Sequence, residues 1–181
     1  MRWVVEPEGS RLAVRTRATG LLARLAHDLE LVTRDLRGTV DLEGDAWSAE
    51  LTVPVASLRV AGTLHGDRLD AAALSAADRG EIERKLRTDV LRAPDVVARA
   101  QGASRERAEV TVSIGVASAR SLATFEVGET GAVGRLTVAG RAELSLRALD
   151  IPEVRGPLGA FKLKDDVSVL FQLQLAPPAG C

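Results

Sequence analysis

Cysteine, histidine and aromatic residues are scarce in this sequence of 181 residues. The single cysteine, Cys181, can form no internal disulfide, and two histidines offer little material for a metal site. Neither sign of charge dominates, because 24 basic residues stand against 25 acidic ones, so neither nucleic acid nor an anionic membrane surface is an expected partner. No apolar run approaches the roughly 18 residues that a membrane-spanning helix needs.

Length and hydropathy predict one globular domain. The apolar fraction of 46% excludes a mostly disordered chain. The length fits a single domain over residues 1–176, followed by a short tail over 177–181. Residues 1–10 contain no apolar segment of a secretory signal, so the expected location is cytoplasmic, or periplasmic if a signal has been removed.

Strict alternation of apolar and polar residues predicts about ten β-strands, because successive side chains of a strand point to opposite faces. Alternation on one face only is typical of antiparallel sheets whose other face is in water. Many such strands, separated by turns, predict an all-β sandwich or a closed barrel of about eight strands. The clear runs are 11–18, 37–43, 47–53, 109–116, 141–148 and 167–175, and the weaker ones are 27–33, 96–101, 121–127 and 133–139.

The alternation breaks once, between residues 75 and 91. Ser75 and Asp78 have the spacing of a helix capping box. Ile82, Leu86 and Val90 then recur at every fourth position, which predicts one amphipathic helix able to cover an end of the barrel.

Pro54 interrupts the strand pattern of residues 47–58 and predicts a bulge or a sheet edge, because proline cannot donate a ladder hydrogen bond. An exposed edge near Pro54 would permit a homodimer.

Sequence motifs of catalysis and metal binding are missing from the chain. No nucleophile elbow, zinc-protease or phosphate-loop motif occurs. His65, Asp67 and Asp70 are the only local group of metal-ligand types, and a polar loop explains them better than a metal site. We therefore predict no catalytic residue, no metal and no cofactor.

His27 is the polar residue that the strand pattern places oddly. Alternation puts it on the inward face with Leu29 and Leu31, while Asp28 and Glu30 point to water. The favoured interpretation is a buried imidazole that bonds to protein groups. The alternatives are an imidazole that contacts the polar end of a ligand, and, third, a catalytic base.

The volume of the barrel interior decides whether a ligand can fit inside. An eight-stranded barrel either fills its interior with side chains or holds one small ligand. Its inward residues here are mostly Ala, Val and Leu, which leaves both outcomes open. If a cavity exists, the predicted ligand-binding residues are His27, Leu29, Leu31, Leu144, Leu146, Val169 and Phe171.

Short segments along nearly the whole chain resemble, in order, the YceI-like family of bacterial lipocalin-like proteins. Residues 134–140, Gly-Arg-Leu-Thr-Val-Ala-Gly, are similar to the family's Gly-x-Leu-Thr-Ile-x-Gly. Trp3-Val4-Val5 resembles its opening strand, and residues 85–91 resemble the end of its helix. The resemblance implies an extended lipocalin-like β-barrel, mainly antiparallel, that holds a polyisoprenoid or another lipid.

These observations favour a protein that is not an enzyme and that binds, sequesters or transports a small apolar lipid, polyisoprenoid or fatty-acyl in type, inside the barrel. One alternative is an enzyme acting on a lipophilic substrate in the same cavity, for which His27 would have to be catalytic. The other is a barrel without a ligand that serves as an interaction or stress-associated module.

Overall fold

The computed structural model describes residues 1–19, 28–130, 134–155 and 162–177. Nearly all of its regular structure is antiparallel β-sheet. The strands in these ranges are β1 (Arg2–Thr16), β2 (Ala18–Thr19), β3 (Asp28–Thr33), β4 (Arg37–Glu43), β5 (Ala46–Pro54), β6 (Arg59–His65), β7 (Arg68–Asp70), β8 (Asp95–Gly102), β9 (Arg107–Ile114), β10 (Ala117–Thr130), β11 (Arg135–Ser145), β12 (Lys162–Leu163) and β13 (Asp166–Ala176).

Eight of these strands close into a barrel, which confirms the predicted fold class. The order around the barrel is β13, β11, β10, β9, β8, β5, β4 and β1, and β1 pairs again with β13. Closure leaves no free edge within this ring.

Strand β1 is long enough to pair with two different strands along one of its edges. Its first residues pair with β4, where Trp3 lies opposite Val40. Its last residues pair with β3, where Thr16 lies opposite Leu29. Strands β6 and β7 continue the sheet beyond β3. The barrel therefore branches at β1, and the branch forms part of the wall around its interior.

The predicted helix is present and lies beside this branch. Helix α1 (Ala76–Lys85) begins after a capping box in which Ser75 and Asp78 bond reciprocally, as the sequence predicts. A π-helix (Leu86–Leu91) follows directly, and Arg92 ends it in the left-handed conformation, with φ of 50°. Short 3-10 helices cover Val55–Ser57 and Arg147–Leu149.

Two polar side chains of α1 attach the helix to β6. The guanidinium of Arg79 donates to the carbonyl oxygens of Val60 and Ala61, at 3.1 and 3.2 Å. The carboxylate of Glu83 accepts from the backbone N–H of Val60 at 2.9 Å. The helix side chains thus take the place of a neighbouring strand along this part of β6.

The barrel end near the start of β1 is filled with side chains. Trp3, Val5, Leu36 and Leu175 are buried together there. The rings of Trp47 and Phe125 meet edge to face nearby, with their centroids 5.8 Å apart. The apolar cavity described below lies toward the other end of the barrel, where β3 and the helical segments line it.

Two expectations about the ends of strands are wrong. Pro54 ends β5, which lies between β4 and β8, so the free edge expected there does not exist and gives no support to a homodimer. The alternation of residues 109–116 also predicts that Val116 faces inward with Ile114, but Val116 is fully exposed in the turn after β9. Gly115 turns the chain there with φ of +59° and ends the alternation.

Candidate functional site

An apolar cavity of about 460 Å³ occupies the unfilled end of the barrel. That volume lies within the range of cavities that hold one small ligand. Strands of the barrel, the β3 branch, and both helical segments build its wall. Among the described residues, Leu, Val, Ile and Ala make up all of the lining except three polar residues. These lining residues are Leu12, Val14, Thr16, Leu29, Leu31, Leu51, Val53, Leu58, Leu74, Ile82, Lys85, Leu86, Val90, Leu91, Val96, Ala98, Val112, Ile114, Leu144, Leu146, Leu149, Ile151, Val154, Arg155, Leu163, Val167 and Val169.

The structure brings five of the seven predicted ligand-binding residues to this wall: Leu29, Leu31, Leu144, Leu146 and Val169. Their contact with a ligand stays a prediction. They come together because each belongs to an inward-facing set of alternate residues, on β3, β11 with its following turn, and β13.

Phe171 does not belong to the described wall. It lies opposite Gly140 of β11, and a Cβ atom on Gly140 would lie 2.7 Å from the Cζ atom of Phe171. The ring therefore takes the space that a side chain at residue 140 would fill. His27 lies outside the described residues, so its role stays a prediction.

The wall residues on the helical segments could be predicted from the sequence. Ile82, Leu86 and Val90, the apolar face predicted for the helix, all line the cavity. The alternation of Leu12 and Val14 also places Thr16 on the inward face of β1. Residues from irregular segments, such as Val154, carry no periodic signal and could not be found in this way.

The polar wall residues are Thr16, Lys85 and Arg155. Thr16 is 8% exposed, and its hydroxyl is buried without a hydrogen-bond partner among the described residues. The side chains of Lys85 and Arg155 are 55% and 66% exposed. The cationic side chains therefore line the cavity and also reach solvent, which places its opening beside them.

Carboxylates outside the wall pair with both of these cations. The Lys85 ammonium lies 2.8 Å from Glu81, and its hydrogen bond and charge lower the pKa of Glu81. Glu153 bonds to Lys162 and to Arg155, at 2.8 Å each. These bonds, of which the one to Lys162 has the largest effect, lower the pKa of Glu153 from its usual value of 4.5 to about 2.

A buried ion cluster lies on the other face of β3. Alternation predicts that Glu30 points to water, but its side chain is only 2% exposed. Its carboxylate accepts from Arg11 at 2.6 Å and from Arg15 at 2.9 Å. Arg15 also lies 3.5 Å from Asp67, one of the loop carboxylates considered above. Two arginines neutralise the buried charge, so this cluster has a structural explanation.

The described residues contain neither a metal-ligand cluster nor a membrane-spanning helix. Over residues 1–19, 28–130, 134–155 and 162–177, His, Cys, Asp and Glu side chains form no group of three that could hold a metal ion. Within those same ranges, no helix has the length and apolar character needed to cross a membrane.

Comparison with known proteins supports the barrel fold. No protein-family model matches the sequence, and neither does any curated protein. Among solved structures, BcnA of Burkholderia cenocepacia matches over 96% of this chain and 99% of its own, with a TM-score of 0.64 and 16% identity. The chain therefore shares the overall barrel fold of BcnA.

Proposed function

We propose that this protein binds a small lipid-like ligand in the barrel cavity and sequesters or carries it. The observation that supports this most strongly is the wall itself: about 460 Å³ of space lined by aliphatic side chains, with three polar residues among the described ones. Moving apolar ligand surface from water into such a space gains roughly 25 cal/mol per Å², which supplies most of the affinity. A polyisoprenoid or a fatty-acyl chain has the required surface.

Binding without catalysis is the second part of the proposal. The wall made by the described residues contains no His, Cys, Ser or carboxylate side chain. General acid-base chemistry needs such a group within hydrogen-bond reach of the reacting atoms. Thr16 is the only hydroxyl on this wall, and no base among the described residues accepts its proton.

Binding of a neutral apolar fluorophore, N-phenyl-1-naphthylamine, tests the cavity directly. The wild-type protein should bind it with a blue shift and enhanced emission. Leu146→Arg should abolish this signal, because it places a charge on the apolar wall. The matched control is Leu122→Arg, since Leu122 is 61% exposed on the barrel surface.

Circular dichroism checks whether both variants retain the fold. Equal fluorophore binding by the folded Leu146→Arg variant and the wild type would refute the cavity as a binding site. Native mass spectrometry of protein purified from cells then identifies any lipid that it carries.

A further inference from the structure

We infer that the cavity takes an amphiphile with an anionic head group, and that Lys85 and Arg155 bind this head group at the opening. The inference rests on the proposed function, because it concerns the ligand of the same cavity. Both charged residues of the described wall, Lys85 and Arg155, are cations. In an otherwise apolar cavity, a few polar groups fix the orientation of the ligand.

Both cations retain hydrogen-bond donors for a ligand. Arg155 uses its Nε and Nη2 atoms for Glu153, at 3.2 and 2.8 Å, and its Nη1 group has no acceptor among the described residues. An ammonium group carries three N–H bonds, and the described partner of Lys85 is Glu81. A carboxylate or phosphate head group can therefore bind without displacing either glutamate.

Thr16 offers a third donor at the same end of the barrel. Backbone hydrogen bonds through residues 163–164 hold the segments of Thr16 and Arg155 together. The N–H of Lys164 donates to the carbonyl of Arg17, the residue after Thr16, and the N–H of Leu163 donates to the carbonyl of Val154, the residue before Arg155. A buried hydroxyl without a partner costs free energy, and a head-group oxygen that accepts from it would remove that cost.

Three ligands with the same twelve-carbon chain separate head-group recognition from chain burial: dodecanoate, dodecyl phosphate and dodecanol. Each competes with N-phenyl-1-naphthylamine for the wild-type protein at low salt. We expect at least one anion to bind roughly tenfold more tightly than dodecanol, the difference expected from one charge-assisted hydrogen bond. The tighter of the two anions identifies the head group as a carboxylate or a phosphate.

The double variant Lys85→Gln/Arg155→Gln should bind all three ligands with similar affinity. Arg120→Gln/Arg141→Gln is its control, because it removes the same charge from exposed outer positions. Thr16→Val should weaken anion binding without lowering the melting temperature of the ligand-free protein.

Each part of the inference has its own contrary result. Wild-type protein that binds dodecanol as tightly as both anions would overturn the inference and leave the proposed function intact. Equal loss of anion preference in both double variants would overturn the assignment to Lys85 and Arg155. Unchanged anion affinity in Thr16→Val would overturn the role of Thr16. Failure of the fluorophore and of all three ligands to bind would instead contradict the proposed function.

Discussion

Replacing Glu30 by Gln tests whether the buried ion cluster stabilises the fold. Glu30 is 2% exposed, whereas its partners Arg11 and Arg15 are 47% and 26% exposed. Breaking a fully buried pair costs roughly 3–5 kcal/mol, but both arginines can rehydrate in part. A glutamine retains one acceptor oxygen and one of the two hydrogen bonds. We therefore expect the free energy of unfolding to fall by about 2–3 kcal/mol, close to the value of one hydrogen bond to a charged group.

Glu50→Gln is a matched control, because Glu50 pairs with Arg99 at the same distance of 2.6 Å but is 51% exposed. An exposed pair contributes about 0–1 kcal/mol. Urea unfolding followed by circular dichroism gives both values, and an unchanged m-value shows that the midpoints report stability. If Glu30→Gln costs no more than Glu50→Gln, burial does not strengthen this cluster and the reasoning is wrong.

Two further predictions concern a close contact and the pH dependence of stability. Gly140→Ala should cost roughly 1–3 kcal/mol, because the new Cβ would meet the backbone oxygen of Thr124. The control is Gly128→Ala on the paired strand β10, where a new Cβ would have no atom within 4 Å. It should leave the free energy of unfolding unchanged in the same urea titration. The folded-state pKa of Glu153 is lowered, so its stabilisation is present above pH 4.5 and is lost as the pH falls toward 2. The melting temperature of Glu153→Gln should thus converge on that of the wild type over this range, and a constant difference would contradict the assignment.

Much of the barrel could be predicted from alternation, because each inward set of residues occupies one face of a strand. The helix could be predicted from the capping box at Ser75 and its four-residue apolar repeat. Alternation could not predict the first half of β1, because Pro7 and Gly9 interrupt the pattern where the pairing register shifts between Glu6 and Arg11. Only the family resemblance of Trp3-Val4-Val5 indicated a strand there.

The two cations of the candidate site could not be predicted from the sequence for a different reason. Lys85 lies three residues after the inward-facing Ile82, on a helix whose orientation is set by its contacts with β6. Arg155 belongs to an irregular segment and reaches the wall through its pairing with Lys162. The burial of Glu30 also depends on partners distant in sequence, and no local pattern indicates which charged residue a neighbouring element covers.

The attachment of α1 to β6 covers part of a strand edge with the same helical segment that lines the cavity. Arg79 and Glu83 occupy the backbone groups of residues 60–61 that an unprotected strand would offer to another chain. The same helical segment supplies Ile82, Leu86 and Val90 to the cavity wall. Any opening in which this segment leaves the barrel therefore uncovers a strand edge together with the cavity. If the proposed ligand binds in the cavity, its packing against the helix favours the closed arrangement, and ligand should then lower the tendency of the protein to aggregate through this strand edge.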